Sequence, residues 1–195
     1  MTALSPAALD QLFNNARTFN KFTDQALSDE QLQAIYDLAK MAPTAFNASP
    51  ARFVFVRSEE AKKRLIPLMM EGNQAKSMAA PVTVIVAYDS NFQEHLPTLF
   101  PAMDVKGMFD ANPAMTETTA FRNGSLTGAY FIMAVRALGL DAGAMSGFDN
   151  TAVDKEFFPD GRFKSNFLIN IGHGDASGNY PRSPRLSFDE AAQIL

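Results

Sequence analysis

Between Gly128 and Val135 the chain reads GAYFIMAV, apolar around the whole circumference of a helix rather than along one stripe. A helix of that kind is normally buried in a protein's centre or in a subunit interface. Arg122 and Arg136 bracket the run, leaving it far short of the ~20 apolar residues a membrane span needs. The small residues Gly124, Ser125, Gly128, Ala129, Ala134 and Ala137 would admit close approach by another backbone or a flat ligand. Gly139 is placed to end the helix, because glycine takes the left-handed capping conformation without strain. A short strand and a glycine-containing turn are expected over 141–148, and the rest of the chain should layer around this element.

Ser5 and Pro6 predict a first helix with Ala8, Leu9, Leu12 and Phe13 on its apolar face. A polar loop punctuated by Phe19 and Phe22 follows. Ser28 and Gln31 stand at capping-box spacing before the stripe Leu32, Ile35, Tyr36, Leu38 and Ala39, which Pro43 closes. After the loop PTAFNASP, over 43–50, a strand is expected at 52–56. A charged helix over 58–68 should leave Lys62, Lys63 and Arg64 in solvent. A further helix begins at Gly72 and ends by Ala80. The β-branched run PVTVIVAY, 81–88, predicts a buried strand. Residues 91–117 show no clean period, reading as either a mobile cover over a pocket or an irregular surface insertion. A helix over 150–158 and a last strand over 166–172 precede a Gly/Pro/Arg-rich tail. Helices outnumber strands, which indicates one domain over 1–195 of α+β or mixed α/β class.

Composition narrows the chemistry. There is no cysteine, which excludes disulfides, thiolate nucleophiles and Cys-ligated metals. With only two histidines, no metal site is expected. A net charge of −4 offers no basic surplus for nucleic acid. The N-terminus lacks a basic start and a long apolar run, so a cytoplasmic chain without membrane attachment is expected. No GxSxG elbow or Walker loop occurs, and Gly172-His173-Gly174 reads as a strand-ending turn. What is left is a set of polar loops: 17–22, 43–50, 73–76, 144–147 and 182–185. An Arg-Thr pair such as Arg17-Thr18 can clamp phosphate, although a surface pair is its ordinary meaning. Asn73 and Lys76 share a helical face, although an exposed lysine is the usual case. Residue by residue, the chain is a soluble enzyme-like domain with an anion site.

In their order along the chain, these segments resemble the nitroreductase family, flavin-dependent oxidoreductases built as intertwined homodimers. Arg17-Thr18-Phe19-Asn20-Lys21-Phe22 stands for the family's opening R-x-S-x-R-x-F-like segment. Pro43 to Pro50 stands for its P-S-x-x-N-x-Q-P loop, and Asn73 and Lys76 for its Asn-x-x-Lys face before Ala80-Pro81-Val82. Ala134 to Phe148 matches A-x-x-x-G-L…G-F, and Arg185-Leu186 closes the match. The sequence departs from the family pattern at Ala16, Asn20, Ser49 and Ala51. Those departures, with FPAMDVKGMF and TETTAFRNGS, look like a subgroup associated with pyrimidine breakdown and similar to malonic semialdehyde reductase.

The resemblance implies a central, mostly antiparallel sheet flanked by helices, with the core helix at the dimer interface. It implies FMN as cofactor and NADH or NADPH as electron donor. Arg17, Thr18 and Arg185 would meet the phosphate and ribityl chain, and Asn73 the pyrimidine edge. Asn20 or Lys76 would face the N1 and O2 region, and Ala144, Met145, Ser146 and Gly147 would form the flavin-facing turn. Pro43, Thr44, Ala45 and Asn47 would reach the flavin from the other subunit. A small acceptor is expected, a semialdehyde or a nitroaromatic or quinone, with Arg122 or Lys106 holding an acidic substrate. A flavin-binding protein without turnover is the alternative. The resemblance supplies no side-chain acid.

Overall fold

The computed structural model describes residues 2–195. Helix α1, Pro6–Leu9, starts where Ser5 Oγ accepts from the Ala8 amide at 3.3 Å, and it continues as a π-helical turn over Asp10–Asn14. Helix α2, Asp29–Ala39, opens with both halves of the Ser28–Gln31 capping box formed. Then come β1 (Ala51–Val56), α3 (Glu59–Leu65), α4 (Glu71–Ala79) and β2 (Val82–Asp89). Short α5 (Leu96–Leu99) and α6 (Lys106–Asp110) lead to the long α7 (Pro113–Ala137). The chain finishes with β3 (Asp141–Met145), α8 (Asn150–Phe157), β4 (Phe163–Gly172) and α9 (Phe188–Ala191).

The strands form one sheet in the order β1-β2-β4-β3, with every neighbouring pair antiparallel. All of β2 is buried, as its unbroken β-branched run requires of a strand covered on both faces. On one face Val82, Val84, Val86, Ile169 and Ile171 pack against α2 and α7 through Ile35, Phe131 and Val135. On the other, Ile85, Ala87 and Leu168 pack against Leu65 of α3 and Val153 of α8. The fold is therefore α+β, an antiparallel sheet flanked by helices.

Helix α7 begins five residues before Thr118, because Asn112 caps the Met115 amide at 3.1 Å and Pro113 takes the first helical position. Gly139 closes it with φ 74°. The helix is not covered on every side within one chain. Phe131, Ala134 and Val135 are buried, yet Phe121, Leu126 and Tyr130 are 51%, 46% and 44% exposed.

Two expectations need correction, and a third gains detail. Residues 91–117 are largely exposed, but several short helices within them set Phe92, Leu96, Val105 and Phe109 into an apolar cluster with Ala48, Tyr88 and Ala120. Buried Asp89 ties this segment down, accepting from the Asn91 amide and pairing with Arg52 at 2.7 Å and with Arg162 at 3.0 Å. Lys62 is not in solvent. It is buried, with its ammonium on backbone carbonyls of Met78 and Ala80. The last strand starts at Phe163, three residues early, continuing the ladder to Asp89. Among the described residues no helix is long and apolar enough to cross a membrane.

Phe131 is fully buried and stacks on Phe53 with ring centroids 4.8 Å apart. Phe131→Ala is expected to lower unfolding free energy by about 3–5 kcal/mol in denaturant titration, with an unchanged m-value. A loss below about 1 kcal/mol would mean that α7 is not the centre of the core.

Candidate functional site

Residues 18–23 run beside the outer edge of β3. Thr18 bridges Ala142 in parallel, and the Phe19 amide donates to the Ala142 carbonyl at 3.1 Å. The Thr23 amide donates to the His173 carbonyl at 2.8 Å. A Cβ on Gly143 would lie 2.3 Å from the Phe19 carbonyl oxygen, so this approach needs glycine there. The segment delivers Arg17, Thr18 and Asn20 to a cavity of about 330 Å³, which Arg136, Tyr180, Arg182 and Arg185 also line.

No aspartate or glutamate lines that cavity. Arg17 donates to the Tyr180 carbonyl, and Arg182 Nη2 donates to the carbonyls of Asn14 at 2.7 Å and Ala16 at 2.9 Å. Arg185 turns back onto the carbonyls of Ser183 and Pro184. Arg136 donates through Nη1 to the Leu12 carbonyl at 3.1 Å, while its buried Nε has no partner. Burial pulls the Arg136 pKa down, with Asp141 acting in the opposite direction. A guanidinium drawn out of water with an idle donor fits an anionic ligand, because a negative charge would offset the desolvation.

Helix α4 forms the adjoining wall. Lys76 Nζ donates to Asn20 Oδ1 at 3.3 Å, and burial alone holds its pKa below the usual lysine value. Asn73 Nδ2 donates to the Gly147 carbonyl at 2.9 Å, and the Met70 amide donates to the same oxygen at 3.0 Å. A Cβ on Gly147 would lie 2.5 Å from Asn73 Nδ2 and would displace that amide from its bond to the Gly147 carbonyl. Ala144 and Met145 are the last residues of β3 rather than part of the expected turn: Ala144 and Ser146 are exposed, while Met145 accepts from Ser77 Oγ at 3.6 Å.

Arg17, Thr18, Asn20, Asn73, Lys76, Arg185 and the stretch from Ala144 to Gly147 thus form one connected region. Sequence reasoning missed Arg136, whose only signal was a lone cation ending an otherwise apolar helix, and it picked out the 182–185 loop without giving Arg182 a role of its own. The structure does not bring the loop from Pro43 to Asn47 to this region of the same chain. Ala45 donates its amide to Asn123 Oδ1 at 2.9 Å, and Asn47 Nδ2 donates to the Leu99 carbonyl at 2.9 Å. Asn123 and Arg136 are thirteen residues apart on α7, or about 20 Å at 1.5 Å per residue. Phe46, Asn47 and Ser49 hold φ of 52°, 50° and 41°. Such non-glycine residues cost about 1–3 kcal/mol each. They are fixed by Thr44 Oγ1, which accepts from the Ser49 amide, and by Arg52, which donates to the Ser49 carbonyl. Nor does the region include Arg122, exposed on α7, or Lys106, engaged with Asp110. Among the described residues no group of three or more His, Asp or Glu could hold a metal.

The profile of the Nitroreductase family matches residues 14–173. A protein of Burkholderia lata, provisionally named an NADH dehydrogenase/NAD(P)H nitroreductase, is 59% identical over 194 residues and the full length of both chains. A similarly named protein of Ralstonia nicotianae is 51% identical over the full length of both. Among solved structures, a nitroreductase-type protein of Exiguobacterium sibiricum in complex with FMN superposes with TM-score 0.87 at 21% identity, covering all of both chains. One from Bacillus subtilis gives TM-score 0.87 at 22% identity, covering 98% of this chain and 100% of the other. The chain belongs to the nitroreductase family.

Because burial lowers the folded Lys76 pKa below the usual 10.5, the unfolded chain binds that proton more tightly. Stability therefore rises with pH between the folded and the ordinary value. Lys76→Met apoprotein is expected to gain stability over the parent at pH 7, with the gain shrinking toward pH 10. A difference that stays constant with pH would show that Lys76 is not held out of water.

Proposed function

We propose that this chain is an FMN-dependent NAD(P)H oxidoreductase of small acceptors. The observation that carries the reading is the carboxylate-free arginine cavity joined through Asn20, Lys76 and Asn73 to the Gly147 turn. When bound, FMN supplies two-electron chemistry between a reduced pyridine nucleotide and the acceptor. Arg17, Thr18, Arg136 and Arg185 would hold its phosphate, and Asn73 its amide-like pyrimidine edge. Lys76, steered by Asn20, would place a cation where negative charge develops. The backbone of Ala144, Met145, Ser146 and Gly147 would border the reacting edge without adding bulk, leaving room for a nicotinamide.

The partner in this reading is a second copy of the chain. Three features support it: the uncovered apolar face of α7, the unpaired outer edge of β1, and an exposed tail carrying Leu186, Phe188, Ile194 and Leu195. In such a homodimer the loop from Pro43 to Asn47, which meets α7 at Asn123, about 20 Å along the helix from Arg136, would serve the partner's site. The acceptor we propose is malonic semialdehyde, reduced to 3-hydroxypropionate in pyrimidine catabolism in the cytoplasm. Of the two cations proposed for its carboxylate, Arg122 is exposed, whereas Lys106 is engaged by Asp110. The second reading is a general NAD(P)H nitroreductase or quinone reductase, and the names of the full-length relatives favour its nitroreductase form.

Purified protein is expected to be yellow and to bleach under anaerobic NADH or NADPH. Colour without bleaching would reduce it to a flavin carrier. Turnover of malonic semialdehyde should exceed that of nitrofurans and quinones; the reverse order would establish the second reading. Arg17→Ala should weaken FMN binding by about 1.5–3 kcal/mol, the worth of a charge-assisted contact. Unchanged affinity would misplace the phosphate.

A further inference from the structure

Helix α4 carries Asn73 and Lys76 but has an unusual end. It has no glycine cap: Ala80 leaves in an extended conformation, φ −64° and ψ 143°, directly before Pro81. The Ala80 amide donates to the Lys76 carbonyl at 3.1 Å, whereas the carbonyls that follow have no intrahelical donor. Lys62, on α3, fills that gap. Its side chain is buried, and its ammonium donates to the carbonyls of Ala80 and, at 3.1 Å, Met78. The only influence resolved on its pKa is burial, which lowers it, with no opposing charge from a carboxylate. The carbonyls at the negative end of the helix therefore supply what a counter-ion would.

We infer that Lys62 is a positioning residue that fixes the last turn of α4 and thereby the Lys76 ammonium in the cofactor site. The relay has two steps, Lys62 Nζ to the Ala80 carbonyl and the Ala80 amide to the Lys76 carbonyl. A second anchor holds the same turn to the sheet. Fully buried Ser77 accepts from Asn170 Nδ2 at 3.0 Å, and Asn170 Oδ1 accepts from Thr83 at 2.7 Å. At the front of the helix, Asn73 is tied to Gly147. Removing the Lys62 ammonium would leave the carbonyl of fully buried Ala80 without that donor and free the carbonyl of half-exposed Met78, and the turn would shift to satisfy them. The inference rests on the FMN reading of the site.

The test is the midpoint potential of bound FMN in a double-mutant cycle, with thermal melting to establish that each variant is folded. Lys76→Met is expected to lower the potential, because it removes a cation that favours the reduced form. Lys62→Met is expected to lower it as well, by a change of about tenfold in the redox equilibrium, or about 30 mV for two electrons. The two effects should not add: in the Lys76→Met background, Lys62→Met should have no further effect. Lys62→Arg should restore the parent value. Should Lys62→Met fail to fold, Lys62→Gln, uncharged and one atom shorter, is read in the same cycle. A shift that persists undiminished in the Lys76→Met background, or no shift at all, overturns the inference. A potential indifferent to Lys76→Met refutes the assigned role of Lys76 and the inference with it. Protein that binds no FMN refutes the reading of the site.

Discussion

Desolvation of positive charge is the constraint around which this molecule's chemistry is arranged. Lys62, Lys76 and Arg136 are each drawn partly out of water, and each has its pKa lowered by burial. Charges buried in this way are costly unless something of opposite sign or strong polarity faces them. Lys62 has helix-end carbonyls. Lys76 has a single amide oxygen at 3.3 Å, and Arg136 has the Leu12 carbonyl, the Met133 sulfur and the partly offsetting charge of Asp141, with an idle Nε. The latter two border the region where Arg17, Arg182 and Arg185 gather with no carboxylate. The folded chain thus tolerates an electrostatic cost there that an anion would relieve.

Packing makes that arrangement possible. The antiparallel sheet, buried on both faces, supplies a rigid plane, and α7 crosses it with Phe131 and Val135 in the core. From this plane β3 offers Gly143, against which the Arg17–Asn20 segment lies, and the turn whose Gly147 meets α4. Gly143 therefore sets how closely the basic segment lies on β3, and the Gly147 carbonyl receives the Asn73 amide of α4. The strained loop at 46–49 is a separate pre-formed element, held by Thr44, Arg52 and Asn123.

Elements whose signals were local could be read from the sequence. The Ser28–Gln31 box, the β-branched run of β2 and the Gly139 cap each depend on neighbours a few residues away, and each formed as expected. Features set by distant contacts were hidden. Lys62 sits in a run of three cations on a helix, and only its position three residues before buried Leu65 distinguishes it from solvent-facing Lys63. Residues 91–117 lack a single period because they fold as several short helices around a small apolar cluster. Arg136 became a cavity residue only when the tail folded back against the Arg17 segment. The linear motifs singled out Arg17, Asn20, Asn73, Lys76 and Gly147, but gave no sign that Lys62 donates to the carbonyls ending α4.

The central claim is that the carboxylate-free cavity binds the phosphate of a flavin. Calorimetric titration of the parent protein with FMN and with riboflavin, which differ only in that phosphate, tests it most directly. The account predicts FMN affinity at least about tenfold higher, since one charge-assisted contact is worth about 1.5–3 kcal/mol, and an advantage that shrinks as salt is added. Equal affinity for the two flavins at every ionic strength would contradict it.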